Sequence, residues 1–214
     1  WGDQKTIDGL GPDGVAASSR FFSRALKRVQ TGFVYHYSFI MLIAAVAFGA
    51  YDGAVHVLDA ATGEPLLAPF PTGDLIKGSV SIDPQGYPLL YVGSRDNFLR
   101  VLALDRDPPL ELWRLSADDV SPTLWNDDWD GSPLVLGDLL LQGGENGQFH
   151  VVKLNRRIGA DGKVAVAPRL LFNAPAWDEQ LLADTGSTNV SVESSVAVAG
   201  HVAYTANSGG LIVG

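Results

Sequence analysis

The chain has 214 residues, enough for one ordinary domain or for a small anchor followed by one domain. It contains no cysteine, which excludes disulfides, thiolate metal sites and cysteine nucleophiles. The net charge of −9 is unevenly distributed, because residues 1–51 carry five Lys and Arg against three Asp, whereas the remainder carries ten Lys and Arg against 21 Asp and Glu. A domain this acidic repels phosphate backbones, so nucleic acid is not expected as a partner.

The N-terminal part combines a basic amphipathic stretch with a long uncharged run. Between Arg28 and Asp52 lie 23 uncharged residues, and about 20 apolar residues are needed to cross ~30 Å of hydrocarbon. We therefore predict one transmembrane helix within residues 32–51, preceded by an interfacial amphipathic helix. Two alternatives remain, a buried helix of a soluble protein and a signal peptide cleaved at Ala45-Val46-Ala47. The basic residues before the run predict that the N-terminal side is cytoplasmic and that the following domain is periplasmic or extracellular.

Two segments of this region carry a family resemblance. The sequence WGDQKTIDGLGPDGVAA of residues 1–17 and the sequence RVQTGFVYHY of residues 28–37 resemble the C-terminal end of subunit L of the proton-pumping NADH–quinone oxidoreductase. The resemblance covers residues 1–47. It implies that this segment corresponds to the terminal membrane helix of a large complex.

A short motif then recurs through the rest of the chain. Gly49, Gly93 and Gly143, spaced 44 and 50 residues apart, each precede a turn dipeptide and an alternating apolar stretch. The turn dipeptides are Asp52-Gly53, Asp96-Asn97 and Asn146-Gly147, all of which favour hairpin tips. The repeats lie near residues 49–66, 93–113, 143–157 and, in a clipped copy, 204–214. A period in the forties with about four short strands per unit predicts β-propeller blades.

Within propellers, the motif resembles the PQQ-like (quinoprotein-type) repeat. Leu58-Asp59-Ala-Ala-Thr62-Gly63 matches the end of such a blade, and Asp105 running to Trp113 is a looser copy. The resemblance implies a mainly β fold, a partial propeller of about three to four blades over residues 48–214, after the amphipathic and transmembrane helices of residues 1–47. Because an open array exposes apolar faces and strand edges, further blades or a second copy would be needed to close the ring.

The densest polar segment is WNDDWDG, residues 125–131. Asn126, Asp128 and Asp130 fit alternate positions of a calcium loop, but the position of the closing Glu is Gly137. These three residues are the candidate metal ligands, and a plain capped turn is the alternative. Trp125 and Trp129 would either stack on a sugar or ring cofactor or pack between blades.

Other polar residues give weaker signals. His56 and His150 occupy equivalent positions in two repeats, which favours a structural role on a strand. Five residues at loop tips are candidates for a central funnel: Lys77, Arg95, Asp96, Glu145 and Asn146. The sequence has no Ser–His–Asp order, His-x-x-x-His pair or phosphate-binding glycine loop, so no catalytic residue is predicted.

The sequence therefore predicts a non-catalytic PQQ-like propeller fragment that serves as a binding or scaffold module, joined to a membrane helix. One alternative is a fragment of a membrane-tethered quinoprotein dehydrogenase, in which a full ring would hold PQQ and calcium. The other is a subunit L end fused by accident to a propeller, with the junction near Ala47–Phe48.

Overall fold

The computed structural model describes residues 45–120 and 124–214. In these ranges the protein is mainly β, with sixteen strands, one short 3₁₀ helix and one α-helix. Fourteen of the strands form four antiparallel sheets that follow one another along the chain. Within each sheet the strands are neighbours in chain order, and the other two strands form a hairpin inserted in the third sheet. The predicted mainly β fold is thus confirmed for this part of the chain.

The four sheets are numbered along the chain. Sheet 1 comprises β1 (Ala45–Gly49), β2 (Ala54–Asp59) and β3 (Pro65–Pro71). Sheet 2 comprises β4 (Ser81–Ile82), β5 (Leu89–Gly93), β6 (Phe98–Ala103) and β7 (Leu110–Ser116). Sheet 3 comprises β8 (Leu134–Leu136), β9 (Leu139–Gly143), β10 (Gln148–Lys153) and β13 (Arg169–Pro175). Sheet 4 comprises β14 (Ala197–Ala199), β15 (Val202–Ala206) and β16 (Ile212–Val213).

Three elements lie outside these sheets. The hairpin of β11 (Arg157–Ile158) and β12 (Val164–Ala165) is inserted before the last strand of sheet 3. A 3₁₀ helix spans Ala117–Asp119. The helix α1 (Glu179–Thr185) begins after Asp178, whose side chain accepts a hydrogen bond from the Leu181 N–H, and ends at the left-handed Gly186.

Each predicted repeat forms a hairpin at the predicted place. The hairpins β1–β2, β5–β6, β9–β10 and β15–β16 turn at equivalent residues, which all adopt positive φ: Gly53, Asn97, Gly147 and Gly210. Only Gly and, less readily, Asn tolerate this conformation. The three predicted turn dipeptides are therefore confirmed, and the fourth copy turns in the same way at Gly210.

The glycine before each turn allows the next connection to approach closely. The connections between consecutive sheets, residues 72–80, 117–133 and 176–196, are here called the crossing segments. A Cβ at Gly93 would lie 2.5 Å from the Trp129 Cβ in the second crossing segment. Equivalent Cβ atoms at Gly49 and Gly143 would lie 2.7 Å from the Cβ atoms of Ile76 and Val192. The three glycines are thus required by the same repeated contact.

Each crossing segment is hydrogen-bonded to the hairpin turn of the sheet it leaves. The donors and acceptors occupy equivalent positions: Ile76 N to Ala50 O at 3.1 Å, Trp129 N to Ser94 O at 3.3 Å, and Val192 N to Gly144 O at 3.0 Å. The residue directly before each of these donors accepts a hydrogen bond from the hairpin turn of the next sheet. The bonds run from Arg95 N to Leu75 O at 3.1 Å, from Glu145 N to Asp128 O at 2.9 Å, and from Ser208 N to Ser191 O at 2.9 Å. One arrangement therefore links all four sheets in succession.

Two hydrophobic clusters fill the spaces between the first three sheets. The cluster between sheets 1 and 2 contains Val55, Val57, Ile76, Leu90, Val92, Leu102 and Leu104. The larger cluster between sheets 2 and 3 includes Leu89, Tyr91, Leu99, Val101, Trp129, Leu140 and Val152. Burial of these apolar side chains is the main favourable contribution to the packing of sheet on sheet.

The structure corrects the predicted extent of the transmembrane helix. Ala45–Gly49 form strand β1, which pairs with β2 over its whole length, so they are not part of a helix. β1 also crosses the predicted boundary between Ala47 and Phe48. The predicted amphipathic helix and the rest of the predicted span, residues 32–44, lie outside the described residues. In residues 45–120 and 124–214, no helix is long and apolar enough to cross a bilayer.

Candidate functional site

A cluster of charged side chains lies where the hairpin turns of sheets 2 and 3 meet two crossing segments. Arg95 comes from the β5–β6 turn and Glu145 from the β9–β10 turn. Lys77 follows Ile76 in the first crossing segment. The remaining members belong to the second crossing segment. The charged cluster is defined as Lys77, Arg95, Asn126, Asp128, Asp130 and Glu145.

Three carboxylates converge in this cluster. One oxygen from each of Asp128, Asp130 and Glu145 lies within 4.8 Å of the others, and all three residues are buried. The Asn126 amide donates to Asp128 at 3.0 Å and to Glu145 at 2.7 Å. The three predicted metal ligands are therefore brought together, and Glu145 joins them from a turn about 15 residues further along the chain.

Two cations already bind these carboxylates. The Lys77 Nζ lies 2.9 Å from Asp130, and the Arg95 Nη2 lies 3.0 Å from the same carboxylate. Arg95 also lies 3.5 Å from Asp128 and 3.7 Å from Glu145. Both cationic side chains are about one third exposed, whereas the carboxylates are buried. Three carboxylates therefore face two fixed positive charges.

The neighbouring carboxyl groups of Glu145 and Asp130 have pKa values shifted in opposite directions. Burial, together with a hydrogen bond to Asp130, raises the pKa of Glu145 to about 7. Burial opposes ionisation of Asp130 too, but bonds from Arg95, Glu145 and Lys77 outweigh it and hold the Asp130 pKa below its ordinary value. Below about pH 7, Glu145 thus retains its proton, which it shares in a hydrogen bond with the Asp130 carboxylate.

The fit of a calcium ion to the cluster is limited by these cations. Carboxylate and amide oxygens are the ligands that Ca²⁺ prefers, and Asn126, Asp128, Asp130 and Glu145 supply them. However, the oxygens of Asp130 are bound by Lys77 and Arg95, and the Asn126 amide presents its NH₂ group to Asp128 and Glu145. Calcium would have to displace both side chains, so the cluster as it stands does not fit a resident ion.

The two tryptophans near the cluster have different environments. Trp129 is fully buried in the core between sheets 2 and 3, and its Nε1 donates to the Asn97 carbonyl at 3.1 Å. Its ring also packs against His150, with ring centroids 4.8 Å apart. Trp125 is 54% exposed. The inter-sheet packing role predicted as one alternative is confirmed for Trp129, and the two indoles do not form a shared stacking surface.

The remaining loop-tip residues are structural in each hairpin. The turn residue Asp96 binds Arg100 four positions later at 2.5 Å. The equivalent pairs are Asp52 with His56 at 2.9 Å and Asn146 with His150 at 3.5 Å. Burial lowers the pKa of His150 to about 4, so this imidazole is neutral. The predicted structural role of both histidines agrees with these contacts.

The sequence does not predict that the members of the charged cluster lie together in the fold. The sequence places Lys77, Arg95 and Glu145 at separate loop tips, and it presents the loop of Asn126, Asp128 and Asp130 as a calcium motif of its own. The crossing segments differ in length, so no fixed spacing joins these residues. The available signal is the turn position itself, because Arg95 and Glu145 are equivalent residues of two repeats.

Comparison with known proteins finds similarity for a minor part of the chain. A stretch of 46 residues is 39% identical to NADH-ubiquinone oxidoreductase chain 5 of Marchantia polymorpha, and a stretch of 50 residues is 42% identical to NADH-quinone oxidoreductase subunit L of Rickettsia bellii. These stretches are 22% and 23% of this chain and only 7% and 8% of the relatives' lengths. No family model matches the chain. The similarity supports the resemblance to subunit L for one segment, and it does not extend to the quinoprotein-type repeat.

Proposed function

We propose that residues 45–214 form part of a quinoprotein-like β-propeller that serves as a non-catalytic binding or scaffold module. The observation that supports this most is the repeated link between sheets, in which each crossing segment binds the turn behind it and the turn ahead of it. Successive meander sheets joined in this way are the building plan of propeller blades. The PQQ-like motif around Asp59 and Thr62 forms the β2–β3 turn, where the Asp59 carboxylate accepts from both the backbone and the hydroxyl of Thr62.

The charged cluster supports a binding or structural role over a catalytic one. Its carboxylates, cations and amide bond to one another across two sheets, so the groups that could act on a substrate are engaged internally. Arg95 and Lys77 are the charged members of the cluster that reach the surface, with about one third of each side chain exposed. The surface they offer suits recognition of a ligand or partner by charge rather than proton transfer to it.

The alternative with a specific observation in its favour is a fragment of a membrane-tethered quinoprotein dehydrogenase, which would hold PQQ and calcium. The three convergent carboxylates support it, and the competing Lys77 and Arg95 count against it.

Titration of the full chain with PQQ and Ca²⁺ in mild detergent separates the two proposals. Binding is followed by quinone absorbance and tryptophan fluorescence, and turnover by dye reduction with alcohols and aldoses. The non-catalytic module predicts neither saturable binding nor dye reduction. Stoichiometric PQQ binding that Asp130→Asn abolishes and exposed Asp161→Asn leaves unchanged would favour the dehydrogenase.

We propose further that the segment before β1 attaches this module to a membrane, with the β part on the periplasmic or extracellular side. The similarity of one segment to membrane-complex subunits supports this. Protease treatment of intact cells and of opened vesicles tests it, because an outward β part is digested in intact cells. The rival hypothesis is an accidental fusion of a subunit L end to a propeller. Long sequencing reads that span the codons for residues 44–51 in one frame would exclude that fusion.

A further inference from the structure

Positive charge is concentrated in one part of the acidic β domain. Residues 52–214 carry ten Lys and Arg against 21 Asp and Glu, whereas the stretch 150–175 within them carries five Lys and Arg against the single Asp161. This stretch covers most of β10, the inserted hairpin and β13. Sheets 1 and 2 have no such hairpin before their last strand. A local excess of positive charge on an acidic domain indicates a surface for an anionic partner.

Four of these five cations have no carboxylate partner among the residues that the structure describes. The fifth, Arg156, is buried and pairs with Asp83 and Asp138. The unpaired cations are all exposed: Lys153, Arg157, Lys163 and Arg169. Each of the other cations of residues 52–214 pairs with a carboxylate: Lys77, Arg95, Arg100, Arg106 and Arg114. The unpaired positive charges are therefore confined to this one stretch.

Two of the unpaired cations face each other across sheet 3. The end of each sheet opposite its hairpin turn is here called the foot. Lys153 ends β10 and Arg169 begins β13, and they are cross-strand partners at the foot. Like charges at such positions, with Cβ atoms about 5 Å apart, destabilise a sheet. The Ala167 N–H donates to the Leu154 carbonyl at 3.1 Å, so the inserted hairpin, which includes Arg157, begins directly beyond this pair.

The chain enters sheet 1 on the same side of the array. Ala45 begins β1 at the foot of sheet 1, opposite Asp59, in the register that pairs Leu139 with Lys153 in sheet 3. The crossing segments link the hairpin turns of successive sheets, so the feet lie together on the other side. The segment that is proposed above to attach the module to a membrane therefore joins the β part on the side of the exposed cations.

We propose that the exposed cations at the foot of sheet 3 and on the inserted hairpin bind anionic phospholipid headgroups of the membrane to which the chain is attached. The proposal rests on the proposed membrane attachment. The guanidinium groups of Arg157 and Arg169 carry paired N–H donors that match phosphate oxygens, and an anionic bilayer attracts nearby Lys and Arg side chains. The bilayer contact would leave the hairpin turns and the charged cluster on the far side.

Single fluorescent labels report this orientation, because the native chain contains no cysteine that would compete for them. Ala160→Cys carries the label on the exposed connection of the inserted hairpin, and Tyr51→Cys carries it on the exposed β1–β2 turn at the opposite end. The full chain is reconstituted in vesicles of phosphatidylcholine alone or mixed equally with phosphatidylglycerol, with a nitroxide-headgroup lipid as quencher. The Ala160→Cys label should be quenched in the anionic vesicles only, and less at high salt. The Tyr51→Cys label should stay unquenched in both.

Removal of single charges in the Ala160→Cys background measures the contribution of the cations. One Lys or Arg near an anionic bilayer contributes about a factor of five to binding, so Arg169→Gln should lower the ratio of docked to undocked protein about fivefold. The matched control Arg114→Gln removes an exposed cation that pairs with Glu111 on β7, and it should leave this ratio unchanged. Equal quenching in neutral and anionic vesicles, or equal effects of the two substitutions, would overturn the proposal.

Extraction of the vesicles with alkaline carbonate tests the membrane attachment separately. A chain that stays in the membrane without quenching of the Ala160→Cys label refutes the headgroup contact alone, whereas release of the chain refutes the attachment as well. Soluble poly-glutamate is the competing anion. A fluorescence response of the Ala160→Cys label to poly-glutamate, without quenching in anionic vesicles, would identify an acidic polypeptide as the partner and overturn the lipid proposal.

Discussion

Glu145→Gln should make the protein more stable at neutral pH. The folded protein holds the Glu145 proton up to about pH 7, whereas the ordinary pKa of this group is 4.5. Folding therefore takes up a proton between these pH values, and the free energy of unfolding falls as pH rises through this window. Each tenfold difference in proton affinity corresponds to about 1.4 kcal/mol, so the ionisation of Glu145 costs about 3 kcal/mol by pH 8.

The glutamine side chain reproduces the protonated form of Glu145. Its NH₂ group can donate to Asp130, and its carbonyl oxygen can accept from the Asn126 amide, which donates to Glu145 at 2.7 Å. Glu145→Gln and the native chain should therefore have equal stability near pH 4. At pH 8 the variant should be more stable by about 2–3 kcal/mol, because it has no proton to lose.

Urea unfolding of the full chain in mild detergent, followed by tryptophan fluorescence from pH 4 to 8, measures this difference. The buried Trp129 beside the charged cluster makes fluorescence a suitable probe. The matched control is Glu64→Gln at an exposed turn, which should leave the pH profile unchanged. If the profiles of the native chain and Glu145→Gln run parallel over this range, Glu145 does not hold its proton in the folded protein and the reasoning fails.

Two further substitutions test the packing between sheets. Gly93→Ala should lower the free energy of unfolding by about 1–3 kcal/mol, because its Cβ would lie 2.5 Å from the Trp129 Cβ. The control Gly131→Ala, whose nearest neighbour would be at 3.3 Å, should cost clearly less in the same urea unfolding experiment. Arg156→Met should cost about 3–5 kcal/mol in thermal or urea unfolding at pH 7, because it leaves the buried Asp83 carboxylate without its cation. Adding Asp83→Asn to Arg156→Met should recover part of this loss, and no recovery would contradict the ion-pair explanation.

The hairpins were predictable because their chemistry is local. Asp52-Gly53 and Asn146-Gly147 need no distant partner to favour a turn. Alternating apolar residues around them also fix which side of each strand is buried. The helix α1 was not predicted, although Asp178 as N-cap and Gly186 as the left-handed stop are local signals that could have identified it.

The start of the β part was harder to predict, because residues 45–49 belong to an uncharged run. An apolar stretch without charges fits a membrane helix and a buried strand equally well. Pairing with β2 decides the outcome, since Val46 and Phe48 find partners in Leu58 and His56. That pairing depends on residues eight and twelve positions away, which the composition of the run does not reveal.

The charged cluster was only partly predictable for a related reason. The sequence predicts that Asn126, Asp128 and Asp130 form one polar loop, and they do lie together. Their burial and their pairing with Lys77 and Arg95 depend on how the crossing segments pack. Because these segments differ in length, the paired residues have no fixed spacing in the sequence. The calcium-loop interpretation therefore predicted the acidic residues but not the cations, Lys77 and Arg95, that pair with them.

Successive sheets repeat one arrangement, in which each crossing segment lies next to the following one. Ser79 and Ser132 occupy equivalent positions in two crossing segments, and the Ser79 N–H donates to the Ser132 Oγ at 3.0 Å. Their Cα atoms are therefore within about 7 Å, close to the range of a disulfide. The double variant Ser79→Cys/Ser132→Cys should form an intrachain disulfide under mild oxidation, detected by mass spectrometry. Free thiols in this pair, or equal oxidation of the control pair Ser79→Cys/Ser187→Cys, would contradict the account.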